Sequence, residues 1–407
     1  MGSDTPPSTR ASGPRIALAH DWLVGYRGGE GVLDCHARLV ARDWPRETPA
    51  RIYTMFDTGK PITPAIDRLP RTVSFLNGAP GADRARRWLL PLYHAGVAGL
   101  SRSLARDHAK ERVDLVLSSS SAAIHALRVP AGVRHICVCF TPPRYLWELG
   151  DQYSQGLMGL GLRVCSPVLR RLDYRAAQHV TTYVAISTVT QERIKKFYGR
   201  ESQIVFPPVR TKYFTVDGAD DLPEADAAKV RGLPANFLFY IGALEPYKKA
   251  DLAVEAAERL KRPLVIAGSG SQMSRLKEMT RDSKYVTLLG RVSDPLLRAL
   301  YRRADALLFP QLEDFGIVAL EAQACGTPVV AFGVGGALDT VIDGKTGVLF
   351  PEQTAQSLAV AIGKCPAKSE SRSACVTNAE RFSEEANFEA MRRVILASLE
   401  SVASHSS

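Results

Sequence analysis

Short apolar runs alternate with amphipathic stretches along nearly the whole chain. Arg15-Ile-Ala-Leu-Ala-His20, Val113-Asp-Leu-Val-Leu-Ser118, Arg134-His-Ile-Cys-Val-Cys139 and Thr182-Tyr-Val-Ala-Ile-Ser187 each predict a buried strand. Thr190 to Tyr198 predicts a helix closed by Gly199. The second half repeats the theme. Phe237-Leu-Phe-Tyr-Ile-Gly242, Pro263-Leu-Val-Ile-Ala-Gly268, Tyr285-Val-Thr-Leu-Leu-Gly290, Ala306 to Phe309 and Pro328-Val-Val-Ala-Phe332 predict further strands, and Lys249 to Leu260 a helix. Strands that are apolar on both faces, alternating with helices, are the rhythm of a parallel sheet covered on both sides. The predicted fold class is therefore α/β.

At 407 residues the chain exceeds one ordinary core, so two domains are expected. Phe206-Pro-Pro-Val209 interrupts both kinds of element, and an acidic stretch from Asp217 to Asp226 follows. We place the boundary there, giving domains of 15–206 and 207–384. The last helix, Asn387 to Ser401 within about 385–402, is a candidate to return to the first domain. The end from Ala403 to Ser407 is expected to fray.

Composition narrows the class. With 45% hydrophobic and 23% charged residues the chain reads as soluble and globular, and no run reaches the roughly 18 apolar residues of a membrane span. Met1 to Pro14 is polar and has no apolar core, so it reads as a loose tail and not a signal peptide. The seven cysteines are scattered, which fits reduced thiols in a cytoplasmic protein. Cys137 and Cys139 alternate on one face of a strand without a second pair to complete a metal set. The net charge of +10 suits an acidic partner. No nucleic-acid module is present, which leaves an anionic membrane surface, on the inner face of the plasma membrane, or a phosphate-bearing lipid. Arg84-Ala-Arg-Arg-Trp88-Leu-Leu-Pro-Leu-Tyr93 and the group Arg163, Arg170, Arg171 and Arg175 concentrate that charge beside apolar residues.

The chemistry-bearing stretch is Glu313-Asp-Phe-Gly-Ile-Val-Ala-Leu-Glu321. A carboxylate just before a helix and a second two turns into it can face one cleft and grip sugar hydroxyls. The free N–H groups at the helix start suit phosphate. By itself such a pair equally suits acid–base chemistry or a glycosidase. Gly25-Tyr-Arg-Gly28-Gly29-Glu30 follows the first strand and opens a helix, an arrangement that lets backbone approach a diphosphate. Gly242-Ala-Leu-Glu-Pro-Tyr-Lys248-Lys249 lies at the carboxyl end of a strand, where open α/β sheets bind ligands, with Lys248 placed to neutralise phosphate. Gly335-Gly336 precedes another helix start with Asp339 in its first turn, where a plain cap is the simpler reading.

Taken together the chain resembles the retaining glycosyltransferases of family GT4, in the bacterial O-antigen and exopolysaccharide mannosyltransferase-like branch. The resemblance runs from about Ile16 to about Phe388. It is carried by His20-Asp-Trp-Leu, Gly28-Gly29-Glu30, Thr141-Pro-Pro-Arg-Tyr-Leu-Trp147, Pro246-Tyr-Lys248 with Asp251-Leu-Ala, Leu289-Gly-Arg-Val292-Ser-Asp, Glu313 through Glu321, Gly335-Gly336-Ala-Leu and Gly344-Lys-Thr-Gly347. It implies a GT-B fold, two Rossmann-like domains facing across a cleft, the first for acceptor and the second for donor. It implies a hexose, first of all mannose from GDP-mannose, moving to a polyprenyl-diphosphate-linked or other saccharide acceptor. A UDP-sugar is the alternative donor. No cofactor is implied beyond the nucleotide sugar, and the chain has no Asp-x-Asp motif for a metal.

Residue by residue, the resemblance assigns Glu321 to the ribose, Glu313 to the sugar ring near its anomeric end, and Lys248 to the departing diphosphate. Gly242 and the backbone of Phe315, Gly316 and Ile317 would meet sugar and phosphate. Gly28 and Gly29 would close over the diphosphate, and Val292 would lie against the base. The chain departs from the family at Ala243, where Arg is usual, at Ser121 and Phe140, where His is usual, and at Val138, where an aromatic is usual. Arg144 and Arg27 are the candidate replacement cations, His125 is a nearby candidate to compensate through another geometry, and Ser121, His125 and Arg144 are the candidate donor or acceptor contacts. These departures keep open a second reading, a catalytically impaired sugar-nucleotide-binding partner of another transferase.

Overall fold

The structure, a computed structural model, describes residues 13–46, 50–79, 81, 86–148 and 156–403. Most of the N-terminal tail, Arg84 and residues 404–407 lie outside them. The chain divides into two compact units, one of residues 1–185, 193–203 and 390–407 and the other of 186–192 and 204–389.

The first unit carries β1 (Ile16–Leu23), β2 (Ile52–Asp57), β3 (Arg71–Val73), β4 (Leu115–Ser120), β5 (Arg134–Cys139), β6 (Thr182–Ala185) and β7 (Ser202–Ile204), in the order β3-β2-β1-β4-β5-β6-β7. Parallel pairing joins β1 to β2 and to β4, β2 to β3, and β5 to β4 and β6. Strands β2, β3 and β7 are additions to the sequence expectation. Cys137 and Cys139 are buried in β5, and burial pushes the Cys137 thiol up to about 12.

The second unit carries β8 (Leu238–Ile241), β9 (Leu264–Ala267), β10 (Val286–Gly290), β11 (Ala306–Phe309), β12 (Val329–Phe332) and β13 (Gly347–Phe350), in the order β10-β9-β8-β11-β12-β13. Alternation along these strands feeds two cores. Phe239, Val265, Leu307 and Phe309 pack on one face, while Leu238, Tyr240, Ile266 and Leu308 pack on the other. That double burial explains why the strands read as unbroken apolar runs.

Both sheets reverse direction of growth at one place, between β1 and β4 and between β8 and β11. Ligands of open parallel sheets bind outside the carboxyl ends at such a switch point. The segment at the expected boundary is packed. The chain enters the second unit at Ile204, and Phe206 stacks on Phe315 with ring centroids 5.8 Å apart. Val209 donates its N–H to Phe382 at 2.8 Å, so the two prolines sit in a packed segment and not in a loose linker.

Candidate active site

At the first switch point β1 runs into the glycine turn, and helix Gly28–Asp43 begins at Gly28. Asp21 is buried near the end of β1 and its carboxylate accepts four backbone N–H groups from the turn after β4. They come from Ser121 at 2.5 Å, Ala122 at 2.9 Å, Ala123 at 3.0 Å and Ile124 at 2.9 Å. The Ser121 hydroxyl also reaches Asp21, at 3.3 Å. Ser121 is thus held by Asp21, an anchor that its sequence position does not reveal.

Around the glycine turn the groups are mostly buried. His20 Nδ1 shares a 2.6 Å hydrogen bond with the Ser119 hydroxyl, and burial pulls its imidazole down to about 4 against the pull of Asp21. A methyl group on Gly29 would stand 3.3 Å from Phe140 and 3.4 Å from His20, so both rings lie against the turn. Phe140, where the resemblance leads one to expect His, presents carbon to the turn instead of a proton donor. Glu30 is buried and its carboxyl is raised by that burial, with the backbone N–H groups of Glu30, Val24 and Arg27 opposing.

His125 is not brought to a surface. It is 3% exposed, with Nε2 3.1 Å from the Asp173 carboxylate. Asp173 also accepts from Trp147 Nε1 at 2.7 Å and Tyr198 Oη at 3.0 Å, which makes His125 part of an interior polar network. Arg144 opens the short helix Arg144–Trp147 that delivers Trp147 to this network. Arg170 turns inward to the Leu146 carbonyl at 2.5 Å, whereas Trp88 stands 66% exposed.

At the second switch point the loops after β8 and β11 meet. Lys248 ends the 3-10 turn Pro246–Lys248, and its Nζ pairs with Glu313 Oε1. Both side chains are about one-fifth exposed, 18% and 24%. Lys249 follows in the left-handed region with φ 54°, which turns the chain into helix Ala250–Leu260. Gly242 opens this loop, and a methyl group on Gly268 would come 1.9 Å from the Gly242 carbonyl, so the two loop backbones touch directly. Ala243 is exposed beside it and offers no charge.

Glu313 is positioned by main chain. It bridges to Gly335, and the Gly336 N–H donates to its carbonyl at 2.9 Å. A methyl group on Gly336 would fall 2.3 Å from the Phe315 Cα, so only glycine permits this approach. The expected cap at Asp339 is realised elsewhere. Asp339 accepts from the Thr188 N–H at 2.9 Å and the Thr188 hydroxyl at 2.5 Å, capping a different helix.

Gly316, at φ 108°, is the N-cap of helix Ile317–Ala324. Because the left-handed cap delays the helix start to Ile317, Glu321 lies one turn in, and not two as expected. It is 8% exposed, accepts from the Tyr301 hydroxyl at 3.1 Å, and has Arg210 Nη2 4.0 Å away. Burial pushes its carboxyl up to about 7, opposed by Arg210 and Tyr301 and assisted by Asp294. Glu313 and Glu321 therefore have different partners and different exposure. Val292 is partly buried just before helix Asp294–Arg303, whose N-cap is Ser293. Arg210 and Tyr301 were not singled out by sequence. An Arg directly after a Pro-Pro-Val step was the available signal for Arg210.

Residues 223–382 match the family described as glycosyl transferases group 1. The D-inositol 3-phosphate glycosyltransferase of Mycobacteroides abscessus is 35% identical over 227 residues, which is 53% of this chain and 48% of that protein. The chain thus spans about half the length of that curated relative. Sucrose-phosphate synthase from Thermosynechococcus elongatus superposes with a TM-score of 0.71 at 20% identity, covering 94% of this chain and 98% of the other. Anabaena HepE in complex with UDP gives 0.66 at 16% identity, covering 94% and 100%. The fold class is that of the GT-B glycosyltransferases, and the match to the group 1 family lies within the second unit.

Proposed function

We propose that this chain is a retaining, metal-independent glycosyltransferase. It moves a hexose from a nucleotide diphosphate sugar to a lipid-linked saccharide in surface-polysaccharide assembly. The observation that carries this reading is the Lys248–Glu313 pair at the switch point of the second sheet, within the segment that matches the group 1 family. In this reading an arriving diphosphate takes Lys248 as its cation and releases Glu313 to the sugar ring. The N–H groups of Phe315, Gly316 and Ile317 at the helix start receive phosphate and sugar oxygens. Glu321 takes the ribose hydroxyls, Gly242 leaves room for the phosphates, and the main chain at Val292 meets the base.

The acceptor oxygen attacks the anomeric carbon on the face that the diphosphate leaves. The bond from that carbon to the phosphate oxygen breaks, and the acceptor proton passes to the diphosphate. Catalysis is then positioning plus stabilisation of charge on the leaving group, for which Lys248 supplies the cation. GDP-mannose is the first donor to test, and the UDP bound by the Anabaena relative supports UDP-hexoses as the next. For a lipid-linked acceptor, exposed Trp88 and Leu92 close to Arg86 favour contact with an anionic membrane surface.

The test is transfer from a panel of GDP- and UDP-sugars to lipid-linked acceptors by the purified chain. Transfer or donor hydrolysis with one donor supports the reading, and neither with any donor overturns it. Exposed Ala243, where a second cation is usual, favours the alternative of a sugar-nucleotide-binding partner protein. Saturable nucleotide binding without turnover would select that alternative.

A further inference from the structure

The Glu321 carboxylate is asymmetric. Oε2 accepts from Tyr301 Oη at 3.1 Å, while Oε1 faces Arg210 Nη2 across 4.0 Å. That gap is too long for a hydrogen bond, and it leaves Oε1 lone pairs for a ligand hydroxyl. Arg210 itself is fixed. Its Nη1 donates to Asp294 at 2.8 Å, and its guanidinium lies 5.1 Å and 5.0 Å from the rings of Tyr213 and Phe214. The preceding Val209 is tied to Phe382, and the following Thr211 hydroxyl donates to Glu380 at 3.3 Å. A guanidinium held on both backbone and rings is a preorganised charge.

The groups that act on Glu321 come from three elements. Arg210 lies on the segment after β7, Tyr301 and Asp294 on helix Asp294–Arg303, and Cys325 at the end of its own helix. Of these only Arg210 brings positive charge to a carboxyl that burial drives toward its neutral form. We infer that Arg210 is a positioning residue: tied to Asp294 and braced on two aromatic rings, it holds the Glu321 carboxylate charged and aimed at the ribose hydroxyls. This rests on the proposed role of Glu321 in nucleotide binding. A protonated Glu321 would donate one hydrogen bond and accept fewer, and would grip a diol poorly.

The experiment uses the full chain and two readouts. UDP and GDP affinities are measured by calorimetry from about pH 6 to about pH 9, and the Glu321 carboxyl is titrated by carbon-13 NMR, assigned with Glu321→Gln. In Arg210→Met the carboxyl midpoint should rise by about 1 pH unit. Nucleotide binding should be roughly tenfold weaker near pH 6 and close to parity near pH 9. Arg210→Lys should restore most of the shift, and Asp294→Asn should move the midpoint down. An unmoved carboxyl midpoint, with affinity lost equally at every pH or not at all, overturns the inference alone. No UDP or GDP binding by the unaltered chain at any pH overturns the ribose reading, and this inference with it.

Discussion

The two switch points are built on opposite principles. At the first, the ionisable groups serve the fold. Asp21 is saturated by four backbone N–H groups, His20 is tied to Ser119, and His125 is buried beside Asp173. At the second, charge meets charge at places a ligand can reach, in the pairs Lys248–Glu313 and Arg210–Glu321. A buried carboxylate bonded on all sides fixes geometry, whereas a partly buried ion pair with spare hydrogen-bonding capacity can exchange its partner for a phosphate or a hydroxyl. Motif resemblance alone does not separate scaffold from chemistry. His20-Asp-Trp-Leu and Glu313 through Glu321 carry the resemblance equally, but only the second leaves its charges exchangeable.

Breaking the scaffold side should have the largest effect. Asp21→Ala strands four N–H groups and is expected to cost about 3–5 kcal/mol, read by urea unfolding of the first unit. Nucleotide affinity measured below the transition should survive. A loss under 1 kcal/mol would show that water replaces the carboxylate and would erase the contrast.

Next comes the exchangeable side. Lys248→Ala should reduce transfer about 10²–10³-fold, read from initial rates at saturating donor. Glu313→Ala should lower transfer while largely sparing nucleotide affinity. Glu321→Ala should weaken nucleotide binding itself by roughly 10–100-fold, as loss of hydrogen bonds to a charged group does. Identical behaviour of the two glutamate variants would mean that the site does not divide its labour in this way.

The smallest effect is a pH dependence. The folded Glu321 carboxyl sits at about 7, above the ordinary 4.5, so the folded chain holds this proton more tightly than the unfolded one. Its contribution to stability is therefore complete below about pH 4.5 and is lost as pH rises through about 7. Melting temperature followed over that window should fall by a few degrees more in the native chain than in Glu321→Gln, which cannot titrate there. Equal slopes would remove Glu321 as the cause.

Legibility followed the reach of each interaction. The strands from Phe237 to Phe332 could be read because burial on both faces leaves a continuous apolar run. β2 mixes Thr54 and Asp57 into its run, and β13 begins on Gly347 inside what reads as a turn, so both escaped. Lys248 and Glu313 were legible because each directly follows a readable strand. Asp21, Arg210 and Tyr301 were not, since their meaning lies in partners far along the chain. Local sequence cannot show that a carboxylate near the end of β1 meets amides about one hundred residues later. Nor does it show that an Arg in the Pro-Pro segment reaches helix Ile317–Ala324.

The span of the Asp21 contacts has a kinetic consequence. The pairing of β1 with β4 closes a loop of the same length, so the expectation is that the strands meet first and these four hydrogen bonds form late in folding. Contacts that form after the transition state govern how fast the native state opens and hardly affect how fast it is reached. On that expectation the carboxylate that joins β1 to the turn after β4 is a latch on unfolding, and Asp21→Ala should speed unfolding more than it slows refolding.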